Sequence, residues 1–382
     1  MIELNFPDPV TTEAGFFDRQ KEWALIERTF QSGGRKPLII LGERRIGKTS
    51  LQSVAARRLA ADTSRHLEPL FLPFGPLMRS ANDLARELLQ GLCSSSGKSV
   101  HETGPCTANG DFFLDSFGAY TQALRAATSR EKDYLVCVDE FDVTLKNCAD
   151  KEAKRLVALV THLVNEGDRG NLPLRFFFSM TGMPETVTKS FGTSFTSNAT
   201  LAALKPFSHE NTAKMVTALL GPGAQVSRAA MTRLFDLSGG HPYLTKLLLY
   251  WLLEPRGFEA QGLVVDAGAL ERALAQATHD PQVRGVLANL YDVHFNQEQK
   301  GLMLMLASPE RQDGVTRQEL QAMGTNYITA ANTLKRRGYL QAADESAPYR
   351  VRIAFLREWL YQWERYEVEA ARHLGQTKAL RE

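Results

Sequence analysis

The sequence predicts an α/β chain organised around a parallel sheet, and three apolar runs carry that prediction. Pro37-Leu38-Ile39-Ile40-Leu41 leads directly into Gly42-Glu43-Arg44-Arg45-Ile46-Gly47-Lys48-Thr49-Ser50. Tyr134-Leu135-Val136-Cys137-Val138 ends in Asp139-Glu140, and Leu174-Arg175-Phe176-Phe177-Phe178 ends in Ser179-Met180-Thr181-Gly182. Strands buried on both faces read as continuous apolar runs, and in open α/β sheets ligands bind beyond the C-terminal strand ends.

The stretch from Gly42 to Thr49 reads G-x-x-x-x-G-K-T. Two glycines let the backbone curl so that successive N–H groups point into one concavity, and the helix expected over Ser50 to Ala61 adds its positive N-terminus. Such a nest suits phosphate. Gly42, Glu43, Arg44, Arg45, Ile46, Gly47, Lys48, Thr49 and Ser50 are therefore candidate nucleotide-binding residues. Lys48 would reach the β- and γ-phosphates, and the Thr49 hydroxyl would help hold a bridging magnesium ion. At the end of the second run, Asp139 is the second candidate metal residue and Glu140 the candidate polariser of an attacking water. Lys48, Asp139 and Glu140 form the candidate catalytic set, with ATP and Mg2+ as cofactors.

Arg44 and Arg45 have three open readings: stabilising γ-phosphate charge, gripping a neighbouring subunit, or pairing with a surface carboxylate. Ser179 and Thr181 either sense the γ-phosphate from the strand end or satisfy backbone groups.

Other elements follow from periodicity. A helix over 16–31 precedes the first strand, with Asp18 as a cap. A strand at Pro69–Phe74, a helix at Ala81–Leu92, a loop at Cys93–Asp111, a helix near Lys151–Glu166 and a strand near Thr200–Leu204 complete a five-stranded parallel core over residues 1–205. Beyond Pro206 the strand signal stops. Helices at Ser208–Leu220, Ser227–Leu237, Tyr243–Leu253 and Asp266–Ala277 make an all-helical lid over 206–290. Helices at 296–307, 316–323 and 325–337, followed by alternating runs at Gly338–Gln341 and Tyr349–Ile353, read as a winged helix over 291–382, closed by a helix at Phe355–Leu374.

Composition sets bounds on partners. The 382 residues carry 45 Lys and Arg against 43 Asp and Glu, a net charge of +2. No global electrostatic argument then requires nucleic acid or an anionic membrane. Cys93, Cys106, Cys137 and Cys148 show neither a C-x-x-C pair nor zinc spacing, which fits a reducing compartment. Met1–Val10 lacks a basic segment followed by an apolar run, and no stretch has the length to span a bilayer. The expectation is a soluble cytoplasmic protein with no membrane partner.

With these motifs in place, the chain resembles the archaeal-type and AAA-like members of the STAND class of P-loop ATPases, signal-transducing relatives of AAA+ enzymes. Gly42 to Leu51 is similar to that family's G-x-R-R-x-G-K-T-S-L. Gly239-Gly240-His241-Pro242-Tyr243 matches its G-G-H-P-Y lid motif, and Arg336-Arg337-Gly338-Tyr339-Leu340 its winged-helix turn. One departure lies upstream, where the family has F-x-G-R-x-x-E near the adenine. Phe17-Asp18-Arg19 puts Asp in place of the glycine.

The resemblance implies that Pro242 packs on adenine and that His241 approaches the phosphates. The local reading is an inter-helix joint, with Pro242 preset for a helix N-terminus. It further implies a regulatory ATPase switch acting on an effector or signalling protein, as in prokaryotic antiviral defence modules, with a homo-oligomer as a further arrangement. The alternative is a DNA-handling ATPase of origin-recognition or transposition-helper type, with a recognition helix ending in Lys335-Arg336-Arg337. From Tyr291 to Glu382 there are 13 Lys and Arg against 12 Asp and Glu, whereas DNA-binding domains are usually distinctly basic. DNA is thus the less favoured partner.

Overall fold

The structure, a computed structural model, describes residue 10 and residues 15–31, 35–72, 78–100, 116–129, 131–182, 188, 192–344 and 346–362. The chain forms two compact units, one spanning residues 9–204 and the other containing the chain from Lys205 onward.

In the first unit the order is α1 (Gln20–Gln31), β1 (Leu38–Gly42), α2 (Lys48–Ala61), β2 (Leu67–Leu72), α3 (Ala81–Ser96), α4 (Phe117–Ala127), β3 (Asp133–Val138), α5 (Phe141–Asn147), α6 (Asp150–Asp168), β4 (Leu174–Thr181), α7 (Thr193–Asn198) and β5 (Thr200–Ala203). The five strands are parallel, in the order β2-β3-β4-β1-β5. Gly42 lies opposite Thr181 and Val138 opposite Phe178. That register brings the C-terminal ends of β1, β3 and β4 to one edge, with β4 between the other two.

The apolar runs divide by period two between the faces of the sheet. Ile39, Leu41, Val136, Phe176 and Phe178 share a core with Leu88 of α3, Tyr120 of α4 and Leu163 of α6. Leu38, Ile40, Leu135, Cys137 and Phe177 share the other with Ile26 and Phe30 of α1 and Leu51 and Leu59 of α2. Truncating a buried phenylalanine such as Phe177 or Phe178 to alanine costs about 3–5 kcal/mol, so these runs fix the sheet that carries the loops. Arg175, the charge inside the β4 run, is held at the opposite edge by Asp133 at 2.6 Å and by the Phe30 carbonyl at 3.1 Å.

Several elements differ from the periodicity reading. α1 starts at Gln20, because Asp18 and Arg19 both take left-handed backbone angles, φ 59° and 74°. α3 runs on to Ser96 and stops at Gly97, whose φ of 68° allows its N–H to reach the Cys93 and Ser94 carbonyls. Cys93 is thereby a buried core residue rather than the start of a loop. The rest of that expected loop, 101–111 with Cys106, lies outside the described residues. Helices α4, α5 and α7 have no counterpart in the sequence reading. α4 is capped by Ser116 accepting from the Ala119 N–H.

The second unit contains α8 (His209–Leu220), β6 (Gln225–Val226), α9 (Arg228–Ser238), α10 (Pro242–Leu253), β7 (Val264–Val265), α11 (Ala267–His279), α12 (Pro281–His294), α13 (Gln297–Ala307), α14 (Arg317–Met323), α15 (Thr325–Arg337), β8 (Leu340–Gln341) and β9 (Arg350–Val351), followed by a helix, α16, over 354–362. The remainder of the helix expected to Leu374 lies outside the described residues. The helical stretch also carries a two-residue parallel pair, β6 with β7, too short to leave a period-two signal. α12 is a helix that the periodicity reading did not single out. β8 and β9 pair antiparallel, and Val315 bridges to Tyr349.

Candidate functional site

The loop between β1 and α2 is shaped by its glycines. A Cβ on Gly42 would lie 2.9 Å from Ile46 Cγ2 and 3.2 Å from Leu204 Cβ, so only glycine lets the strand end turn this tightly. Gly47 takes φ 101° as the residue before α2, and Arg45 takes φ 59°. Alternation of this kind turns backbone N–H groups toward one concavity, the arrangement that binds phosphate. Lys48 starts α2 and is 5% exposed, and its ammonium donates to the Gly42 and Glu43 carbonyls at 3.1 and 2.9 Å. Burial lowers the Lys48 pKa, and the carboxylates of Asp139, Asp142, Glu43 and Glu140 oppose that shift.

Thr49, the next residue, donates from Oγ1 to Asp139 Oδ2 at 2.6 Å. The other oxygen of Asp139 accepts a short hydrogen bond from Ser179 Oγ and a bond from the Glu140 N–H at 3.0 Å. The Glu140 N–H also lies 3.3 Å from Ser179 Oγ. Ser179 thus satisfies a backbone N–H, as one of the two readings had it, and in addition contacts the Asp139 carboxylate. The neighbouring Thr49 and Asp139 oxygens are hard donors of the kind magnesium takes, one or two from protein with the rest from phosphate and water. They fit such an ion.

Glu140 stands at the turn from β3 into α5 with φ 47°. A left-handed conformation at a residue with a Cβ costs on the order of 1 kcal/mol and persists where the surroundings over-determine it. The surroundings here are β4 residues: Phe141 packs on Phe178 with ring centroids 5.8 Å apart, and Asp142 Oδ1 accepts from the Thr181 N–H at 2.9 Å.

Two further groups hold the loop from outside. Arg19, 4% exposed, donates from Nη2 to the Ile46 carbonyl at 3.1 Å and pairs with Glu22 at 3.5 Å. The Val10 N–H donates to Ser50 Oγ at 3.0 Å. Sequence reasoning missed Arg19 and Asp142 as site residues. The available signals were an arginine next to an aspartate at a position suited to glycine, and an acid three residues beyond Asp139.

His241 and Pro242 belong to the second unit. Gly239 and Gly240 take φ 59° and 73°, and a Cβ on Gly240 would lie 2.2 Å from the Phe207 carbonyl oxygen. The Phe207 N–H donates to the Gly240 carbonyl at 2.8 Å. His241, buried, is the residue before α10, and Pro242 occupies its first turn. The joint therefore ends one helix and begins the next as expected. The residues brought together at the sheet edge are those of 42–50 with Asp139 and Glu140.

Arg337 differs from the expectation of a solvent-facing recognition-helix base. Its Nη1 donates to the His294 carbonyl at 2.9 Å, and its guanidinium lies 5.2 Å from the ring centroids of both Phe295 and Tyr339. Among the described residues no helix is long and apolar enough to cross a membrane.

No family model and no curated protein matches the chain. Solved structures do. The fold is similar to that of a Walker-type ATPase of Pyrococcus abyssi, with a TM-score of 0.61 at 16% identity over 94% of this chain and 99% of that one. It is also similar to the ORC2 protein of Aeropyrum pernix in its ADPNP-ADP complexes, TM-score 0.60 at 12% identity over 94% and 98% of the two chains. At such identities the likeness establishes the P-loop NTPase fold.

Proposed function

We propose that this protein binds and hydrolyses ATP and uses the cycle as a STAND-type regulatory switch on a partner or effector protein, as in a prokaryotic defence system. The observation that carries the enzymatic part is the chain of hydrogen bonds that joins Thr49, Asp139, Ser179 and the Glu140 N–H beside the buried Lys48. Two similar folds, named as a Walker-type ATPase and as a protein solved with ADPNP and ADP, support adenine nucleotide as ligand.

In this reading Lys48 exchanges its two carbonyl partners for the β- and γ-phosphates, and the 42–50 loop supplies backbone N–H groups to them. Thr49 and Asp139 hold Mg2+, which neutralises phosphate charge. Glu140 orients the attacking water and takes its proton. A helical lid over 206–290 carries His241 and Pro242, and a winged helix over 291–382 serves protein contacts. Differential contacts of ATP and ADP with these parts bias a two-state arrangement.

The test separates binding from turnover. Lys48→Ala should weaken ATP binding, whereas Glu140→Gln should bind ATP and lose most hydrolysis. Parental turnover by Glu140→Gln sinks the assignment, and the protein that co-purifies with the ATP-trapped variant identifies the partner. The DNA-handling reading rests on exposed Arg336 and on Lys335 at the end of α15. It prevails if the parent binds duplex DNA tightly at physiological salt and Lys335→Ala with Arg336→Ala abolishes that binding.

A further inference from the structure

We infer that Asp142 is a positioning residue for hydrolysis: its carboxylate ties the Glu140 turn to the end of β4 and so sets where the Glu140 side chain stands. The inference rests on the ATPase reading of this site.

Asp142 is 2% exposed, rare for an acid, and among the described residues its hydrogen bond goes to β4 rather than to a group assigned to phosphate or metal. Its Oδ1 accepts from the Thr181 N–H at 2.9 Å. The need for that acceptor comes from the sheet. Pairing between β3 and β4 ends at Val138 opposite Phe178, whereas β1 continues alongside β4 to Gly42 opposite Thr181. The Thr181 N–H, on the side β3 has left, is a buried donor that needs a partner, and Asp142 reaches back from α5 to supply it. Oδ2 accepts no hydrogen bond among the described residues and lies 4.0 Å from Lys146 Nζ.

The consequence for Glu140 follows from its backbone. Its carbonyl accepts from the Val143 and Thr144 N–H groups at 2.9 and 3.2 Å, which binds the turn to α5. The first turn of α5 is pinned to β4 at two points, Phe141 on Phe178 and Asp142 on Thr181. Without the second, the polar tie between this turn and β4 is lost, and the left-handed angle at Glu140 is less constrained. The phosphate loop is held separately, by Arg19 and by β1, so nucleotide affinity does not depend on this tie.

The experiment compares the parent with Asp142→Asn and Asp142→Ala in full-length protein, measuring ATP affinity, kcat and KM with Mg2+ present. Asparagine keeps an oxygen for the Thr181 N–H and removes the charge; alanine removes both. The expected result is kcat within about threefold of the parent for Asp142→Asn, and a loss on the order of 10- to 100-fold for Asp142→Ala with ATP affinity nearly unchanged. Parental turnover in Asp142→Ala overturns the inference. Equal losses in the two variants overturn it as well, since the charge rather than the tie then matters, and so does a parallel loss of affinity and turnover.

If Asp142→Ala does not fold, Asp142→Asn decides together with amide exchange. Protection of the Thr181 N–H with retained turnover supports the tie, and fast exchange with retained turnover overturns it. A parent that binds ATP without any turnover is a different failure: it removes the hydrolysis reading, and the positioning role with it.

Discussion

Thr49 Oγ1 and Asp139 Oδ2 stand 2.6 Å apart although 90 positions separate them in the chain. One lies in the first turn of the helix after β1, and the other directly follows β3, two strands away across β4. Two oxygen donors meeting at this edge should make nucleotide binding depend on a divalent cation. Chelating Mg2+ should weaken ATP binding to the parent by about tenfold or more, a change of about 1.4 kcal/mol or more. In Thr49→Ala and Asp139→Asn that sensitivity should largely disappear. Titrations with ATP in the presence of Mg2+ or of EDTA measure it, and equal chelator sensitivity in parent and variants counts against the assignment.

Arg19 should matter to nucleotide binding without touching nucleotide. Its buried guanidinium holds the Ile46 carbonyl in the middle of the phosphate loop. A hydrogen bond from a charged group contributes about 1.5–3 kcal/mol. Arg19→Ala should therefore lower the melting temperature and raise the Kd for ATP by about tenfold or more, given about 1.4 kcal/mol per decade. Unchanged melting and affinity would show that the loop holds its shape unaided.

Arg337 and Arg336 should behave differently although adjacent. Arg337 carries a carbonyl bond and two aromatic faces within the second unit, worth about 1–3 kcal/mol together. Arg337→Ala should destabilise the protein measurably in a thermal or urea melt. Replacing exposed Arg336 should shift stability by no more than about 0.5 kcal/mol. A reversed order of the two melts contradicts this packing role.

Glu319 gives the second unit a pH dependence of predictable sign. Its carboxylate accepts from the Thr316 N–H and hydroxyl, each at 2.8 Å, and pairs with Arg311 at 2.7 Å. The Thr316 backbone bond first, then its hydroxyl and Arg311, hold the Glu319 pKa down at about 2 against an ordinary 4.5. Because the folded value is the lower one, the stabilisation is complete above about pH 5 and is lost as pH falls toward about 2. The melting difference between the parent and Glu319→Gln should thus shrink across that window. A difference that stays constant or grows on acidification rules the linkage out.

The β1–loop–α2 motif, the apolar runs leading into Asp139-Glu140 and Ser179, and the glycine joint before Pro242 are all legible in the amino-acid sequence. Each is a local pattern: an apolar run long enough for a buried strand, followed by residues whose backbone freedom or charge admits few other uses. Tertiary structure alone decided that β4 lies between β1 and β3, and from that order came the roles of Ser179 on Asp139 and of Asp142 on Thr181. It also decided that Arg337 turns inward and that Arg19 reaches Ile46. Strand order leaves no trace in the local period of a sequence, because parallel strands joined by helices bury the same apolar run wherever they sit in the sheet. The partners of single polar side chains depend on that order, so they became visible only once the sheet was assembled.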